Sequence, residues 1–283
     1  MDLIILLTIL ISGTVFGSFF TLAVHRIPRK ENIVYVRSYC PKCNHKLSTL
    51  DLIPVLSYIF LGGKCRYCKD KIRPRYLLLE VFSGLVFLLV AISHNIGAYS
   101  TLYEFLEIAF IYLFLCGVFI IGGIDKEKFE IPNGLIIYEL VVGIAYMIFK
   151  SIYNISIYGN LVGMVAIPLV MLITNILIKL IVKDENKLPF GMGDIKYIAV
   201  MGLFLGFSAQ VVSLFITLIV TTFYLIIKRE KRIPFGYYMS IANAITIILL
   251  PYMAELLEII NFAIIIRWQM QGSTSVTTRI MTI

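Results

Sequence analysis

Residues 103–132 read YEFLEIAFIYLFLCGVFIIGGIDKEKFEIP, an apolar run that stops on Asp125. A second aspartate, Asp194 in Gly191-Met192-Gly193-Asp194, opens another apolar run. An ionisable group at the edge of a bilayer core costs free energy and usually persists there only for function. Two of them, each at the end of a hydrophobic segment, predict one paired site assembled from distant parts of the chain.

The chain has 283 residues, of which 59% are hydrophobic and 15% charged, and its mean hydropathy is +0.91. That composition is too apolar for a soluble domain and predicts an all-α polytopic membrane protein, one helical bundle with little room for large extramembrane domains. Spans of sufficient length fall at 3–24, 76–97, 103–124, 134–151, 159–181, 195–207, 210–227 and 237–260, about eight transmembrane helices. The sixth is short, and its boundary with the seventh lies at Gly206-Phe207-Ser208. Met1-Asp2 lacks the basic start of a removable signal peptide, so residues 1–25 read as a retained first helix. Residues 26–75 form a loop, 76–268 the main bundle, and 269–283 a polar tail rich in serine and threonine.

The net charge is +8, but the basic residues crowd into a few loops. They lie at 26–75, at Lys126/Lys128, at Lys179/Lys183/Lys187 and at Lys228-Arg229-Glu230-Lys231-Arg232, while the alternate loops are nearly free of them. This pattern argues membrane orientation and anionic-lipid contact, and no nucleic-acid binding. Eight helices threaded with the N-terminus outside put every basic loop on one side, the cytoplasmic one. Asp125 and Asp194 then share that face.

The first loop carries Cys40-Pro41-Lys42-Cys43 and Cys65-Arg66-Tyr67-Cys68. Two Cys-x-x-Cys pairs at this separation have the spacing of a four-thiolate Zn²⁺ site, a small module whose folding energy the metal would supply. Two disulfides, a redox pair and four free thiols are the competing readings, and disulfides are disfavoured on a reducing side. Cys116, inside an apolar run, reads as a small buried hydrophobe.

Two close carboxylates cannot both ionise easily and hold one proton between them. One can then act as base on a water while the other donates to a scissile carbonyl. Gly191 and Gly193 let another backbone come close to Asp194, and Pro132 and Pro189 interrupt regular helix near each carboxylate. Snorkelling salt bridges with Lys126, Lys128 and Lys196 are the alternative. Proton-coupled transport with a zinc-stabilised loop is the rival function. It would require polar residues along a path across the membrane, whereas the helix interiors read as almost uniformly apolar.

The ordered motifs resemble the bacterial type IV prepilin peptidases, bifunctional leader peptidases and N-methyltransferases. They comprise Gly17-Ser18-Phe19, His25-Arg26-Ile27-Pro28, both cysteine pairs, Asp51-Leu52-Ile53-Pro54, Ile72-Arg73-Pro74-Arg75-Tyr76 with Glu80, Asp125 with Ile131-Pro132-Asn133, Gly191-Met192-Gly193-Asp194-Ile195-Lys196 and Ile233-Pro234-Phe235-Gly236. The resemblance implies that Asp125 and Asp194 are the catalytic dyad of a GxGD-type aspartyl protease, supported by Gly191, Gly193, Lys196 and Pro132. It implies an inner-membrane enzyme that cleaves prepilins or pseudopilins after a short basic leader, at the cytoplasmic face. Glu127 and Glu130 are candidate acids for receiving that leader. S-adenosylmethionine-dependent methylation of the new N-terminus is implied as well. By position only, His25, Arg26, Arg73, Arg75 and Glu80 are candidates for that second activity. Thr21, Leu77 and Asn133 depart from the family's usual asparagine, proline and aspartate.

Overall fold

The computed structural model describes residues 3–33, 35, 37–182, 190–228 and 233–253. Among them the regular structure is helical: α1 (Leu3–Arg26), α2 (Leu56–Phe60), α3 (Arg75–Ser93), α4 (Leu102–Lys128), α5 (Asn133–Ile152), α6 (Tyr158–Val182), α7 (Met192–Leu205), α8 (Phe207–Lys228) and α9 (Phe235–Met253). Each of the eight expected apolar segments is a helix. Seven of them, α1, α3, α4, α5, α6, α8 and α9, are long and apolar enough to cross a membrane. The end of the last expected span, beyond 253, and the polar tail lie outside the described residues.

The differences are at element ends, and each has a local cause. Helix α3 stops at Ser93, short of 97, because Asn95 turns left-handed (φ 53°) and Ile96 N–H returns to Ala91 O at 3.0 Å, a cap that uses up the last carbonyls. Helix α4 runs past Asp125 to Lys128. Left-handed Phe129 closes it by donating to Asp125 O at 2.8 Å, so Asp125 sits in the final turn, not beyond it. Only Phe129–Pro132 separate α4 from α5.

Helix α7 has 14 residues and rises about 21 Å, less than the ~30 Å of a hydrocarbon core. It need not span lipid, because α5, α6 and α8 pack around it. Its backbone lies against α6: a β-carbon on Gly202 would stand 2.2 Å from Gly163 O, and one on Gly163 would stand 2.6 Å from Gly202 O. Only glycine permits that approach. The last carbonyls of α7 are capped by buried Asn160, whose Nδ2 donates to Leu203 O (2.9 Å) and Phe204 O (3.0 Å). Gly206, at φ +82°, makes the break before α8, where the sequence placed it. Stacked rings fill the core beside α7, with Phe114 on Phe204 at 3.9 Å and Tyr146 on Phe204 at 4.6 Å.

The interior is less uniformly apolar than its sequence suggests. Buried Gln210, Ser213, Thr217, Thr221, Asn243 and Thr246 form a seam between α7, α8 and α9. Ser213 Oγ donates to Asn243 Oδ1 at 2.5 Å, Thr217 and Thr221 donate to carbonyls one turn back, and Asn243 Nδ2 lies 2.8 Å from Met201 Sδ. These groups are mostly spent on one another and on backbone, as polar residues that join helices in a bilayer are.

Gln210 Oε1 and Thr246 Oγ1 lack a partner among the described residues, and so do both carboxyl oxygens of Glu139 on α5. The Glu139 carboxyl is fully buried with no hydrogen-bond partner among the described residues, packed where a β-carbon on Gly117 would stand 2.1 Å from Oε1. Leaving such a group unsatisfied costs about 1–3 kcal/mol, and a hydrophobe of similar size removes that cost. Glu139→Leu is therefore expected to raise the thermal midpoint of the detergent-solubilised protein. A lowered midpoint would show that the carboxyl has a partner the folded chain needs.

Candidate active site and metal site

The last turn of α4 and the first turn of α7 bring Asp125 and Asp194 together, close enough for the two carboxylates to interact electrostatically. Asp125 is buried and Asp194 partly so. The third wall is the start of α9. The first N–H groups of a helix have no partner within it and favour an anion. Here Tyr237 N–H donates to Asp125 Oδ2 at 3.0 Å, and Gly236 N–H points at the same carboxylate. The motif at 233–236 thus acquires a role that no side-chain letter could announce, because the donors are backbone groups.

Ile131 locks the three segments. A β-carbon on Gly193 would lie 3.4 Å from Ile131 Cβ, and one on Gly236 would lie 3.1 Å from both Ile131 Cδ1 and Asp125 Oδ2. The space beside Gly191 is taken by Asp194 itself, whose Oδ2 would stand 3.0 Å from an added β-carbon. The two glycines before Asp194 therefore make room for a neighbouring helix hairpin and for the carboxylate. Pro132 is the residue at which the chain turns into α5.

The lysines do not pair with the dyad. Lys196 Nζ donates to Asn133 Oδ1 at 3.1 Å, joining the starts of α7 and α5. Lys126 Nζ donates to Tyr237 Oη at 3.1 Å and lies over its ring. Glu127 is paired with Arg75, and Glu130 is exposed beside the dyad hairpin.

Asn175 was not singled out in the sequence, being one amide in a long apolar helix. It is buried on α6, and its side chain takes both backbone groups of Phe190: Nδ2 donates to Phe190 O at 2.9 Å and Phe190 N–H donates to Oδ1 at 3.3 Å. That bidentate clamp fixes the chain four residues before Asp194.

The four cysteines of the first loop converge. Their sulfurs all lie within 4.8 Å of one another, with Cys40 and Cys68 3.8 Å apart, and none is in a disulfide. Tetrahedral Zn–thiolate bonds of about 2.3 Å place sulfurs about 3.8 Å apart, so the cluster fits a metal ion of that kind. The two knuckles are duplicates. Asn44 and Lys69 are both left-handed, at φ 57° and 59°, and donate to Cys40 O (2.8 Å) and Cys65 O (3.0 Å). Antiparallel bridges Tyr39–Lys46 and Lys64–Lys71 frame them alike. Asp51, between the knuckles, accepts from Ser48 N–H (3.0 Å), Arg66 Nε (2.6 Å) and Tyr67 Oη (3.2 Å). Desolvation would raise its pKa, but donation by Arg66 and Ser48 outweighs this and holds it down at about 2. Its stabilising effect is therefore complete above the ordinary carboxylate range and lost only as pH falls towards 2.

The five positional candidates lie near the start of α3 and the end of α1. Arg26 is buried, with Nη1 on Asn32 O (3.1 Å) and Nη2 on Arg37 O (3.4 Å). Arg75 pairs with Glu127. Glu80 Oε2 accepts Val55 N–H at 2.7 Å. Arg73 is exposed and His25 half-buried. The three with polar partners hold loop backbone or a neighbouring helix, and no methyl-transfer step follows from them.

Residues 11–94 match the family described as Bacterial Peptidase A24 N-terminal domain, and residues 112–226 match the Type IV leader peptidase family. The chain is similar to the prepilin leader peptidase/N-methyltransferase of Aeromonas hydrophila, at 30% identity over 82% of this chain and 86% of that protein. It is similar to the protein of the same name from Aeromonas salmonicida strain A449, at 28% identity over the same shares. The Vibrio cholerae relative so named is 28% identical over 73% of this chain and 79% of its own. No solved structure gives a significant match. The two matched regions carry the cysteine module and the aspartate pair in the order found here, and the chain belongs to the type IV leader peptidase family.

Proposed function

We propose that this protein is a membrane-embedded aspartyl endopeptidase that removes the basic leader from type IV prepilins or pseudopilins and then methylates the new N-terminus. The observation that carries the peptidase reading is the meeting of Asp125 and Asp194 at the end of α4 and the start of α7, framed by Ile131, Gly193 and the amides that open α9.

In this reading one carboxylate of the pair takes a proton from a bound water, and the water oxygen adds to the scissile carbonyl carbon. The other, protonated, gives its proton to the carbonyl oxygen. Collapse of the tetrahedral intermediate breaks the C–N bond, and the departing nitrogen receives the proton first taken from water. The products are a leader ending in a carboxyl group and a pilin with a free amine. Asp125 Oδ2 is occupied as an acceptor by Tyr237 N–H, which leaves its other oxygen to face water and substrate.

The positive-inside rule applied to the basic loops supports a dyad at the cytoplasmic face of the inner membrane, with the N-terminus outside. The four thiolates would hold Zn²⁺ as a structural ion that ties the two knuckles together. S-adenosylmethionine would supply the methyl group. Transport is not favoured, since the buried polar groups of the bundle mostly bond one another and helix backbone.

The test is incubation of a prepilin bearing a basic leader with the purified protein in vesicles, with mass analysis of the products. Cleavage with a further methyl mass when S-adenosylmethionine is present is expected. An intact prepilin would overturn the peptidase reading, and cleavage without the added mass would confine the protein to proteolysis. Asn175→Ala is expected to lower kcat about 10–100-fold, since small misplacements of a catalytic group cost that much. KM should change little, because the clamp touches the Asp194 lead-in rather than substrate. A raised KM with unchanged kcat would refute that role.

A further inference from the structure

The segment between the two knuckles is built inside out. Its polar side chains turn inward, Ser48 and Asp51 to each other and Asp51 to Arg66 and Tyr67. Its large apolar side chains turn outward: Leu50 is 63% exposed, Ile59 60% and Phe60 83%, with Leu52, Ile53 and Leu56 exposed beside them. Leu50 and Ile53 share a face of the 3₁₀ turn Thr49–Leu52 and its end, and Leu56, Ile59 and Phe60 share a face of α2. A contiguous exposed patch of this kind marks a surface that something apolar covers.

The depth of the segment says what covers it. Glu80 Oε2 accepts the Val55 N–H at 2.7 Å and so pins the middle of the segment to α3. The 19 residues of α3 rise about 28 Å, barely the thickness of a hydrocarbon core, so nearly all of α3 is needed to cross it. Glu80 lies five residues, about 7 Å, along α3 from Arg75. At the same level it contacts α1, where a β-carbon on Gly17 would stand 2.8 Å from Glu80 Cα. Val55 is thus held below the end of a membrane-crossing helix.

The backbone suits that depth. Pro54 has no N–H, Leu56 N–H donates to Pro54 O (2.6 Å) across a γ-turn, Ser57 N–H to Ile53 O (3.0 Å) and Ile59 N–H to Val55 O (3.1 Å). Val55 adopts φ 62°, ψ −52°, a strained conformation for a β-branched residue, and Glu80 takes up its donor. Satisfying backbone donors internally is what a lipid environment demands. Lys46, Lys64, Lys69 and Lys71, on the knuckles that flank this segment in the chain, are exposed.

We propose that residues 49–60 form a membrane-seated loop, with Leu50, Leu52, Ile53, Leu56, Ile59 and Phe60 in the headgroup–acyl boundary and the knuckle lysines on anionic headgroups. Glu80 then serves as the anchor that holds the cysteine module flat against the bilayer, on the side where Arg75 pairs with Glu127 beside the dyad.

The test is a tryptophan placed on the face. Phe60→Trp, and separately Leu50→Trp in case one variant does not fold, are made in full-length protein with the lone native tryptophan removed (Trp268→Phe). Each is reconstituted in vesicles of phosphatidylcholine and phosphatidylglycerol. The expected result is blue-shifted emission that a nitroxide near the headgroup end of the acyl chain quenches strongly and aqueous iodide hardly at all. Red-shifted emission quenched by iodide would put the face in water and overturn the proposal. A tryptophan shielded from both quenchers, or one whose lipid quenching is relieved by an added prepilin, would assign the face to protein or substrate and overturn it too. The readout is independent of cleavage, so it stands or falls apart from the peptidase assignment.

Discussion

Replacing any one of Cys40, Cys43, Cys65 and Cys68 by serine is expected to abolish stoichiometric metal binding and unfold residues 30–72 while the helices remain. The module has almost no core to fall back on. Of its described residues only Cys40, Gly63 and Cys65 are buried, and their regular structure amounts to one short 3₁₀ turn, one short helix and two isolated bridges. In small zinc modules the apparent binding free energy at neutral pH is about 10–16 kcal/mol, and it is folding free energy. Losing one thiolate of four forfeits much of it. Metal analysis of the purified variants, with limited proteolysis of the loop, checks this. A protease-resistant loop without metal would show that Asp51 and its partners suffice. Since α3 ties the module to α4 through Arg75 and Glu127, cleavage should weaken in these variants but fall less than when the dyad is altered.

The larger effect is expected at the aspartates. Asp125→Asn and Asp194→Asn should each lower cleavage at least about 10³-fold, the range for removing a positioned acid or base. Asparagine keeps the shape and can still accept Tyr237 N–H at position 125, so the fold should survive and the loss should be chemical. In the proposed mechanism the pair works with one shared proton, so neither carboxylate acts alone and the double variant should be scarcely worse than either single one. Additive losses would mean two separate roles. Full activity in Asp194→Asn would remove the pair from the mechanism.

Much of this molecule was legible because its chemistry sits where composition forbids it. Aspartates at the ends of apolar runs and cysteines in matched pairs stand out in any membrane chain, and the structure brings each set together. Spans were legible from their length, and the break at Gly206 from its glycine. What was hidden depends on three-dimensional neighbours. Backbone amides at the start of α9 have no sequence letter, so the role of residues 233–236 was visible only as a motif. Asn175 and Glu139 are single polar residues in apolar helices with no motif around them, yet one clamps Phe190 and the other has no hydrogen-bond partner among the described residues. The shortness of α7 makes sense only once α5, α6 and α8 are seen to replace lipid around it. The outward face of residues 49–60 could not be inferred without the Glu80 tie, since exposed leucines in a loop read the same as a small core.

The most direct test of the central claim, that Asp125 and Asp194 form one hydrolytic site, is single-turnover cleavage of a basic-leader prepilin in vesicles. Wild type, both single asparagine variants and the double variant are compared at matched folding, judged by thermal midpoint. Cleavage by wild type, with all three variants reduced to a common residual rate, is the predicted result. Cleavage at the wild-type rate by either single variant would contradict it.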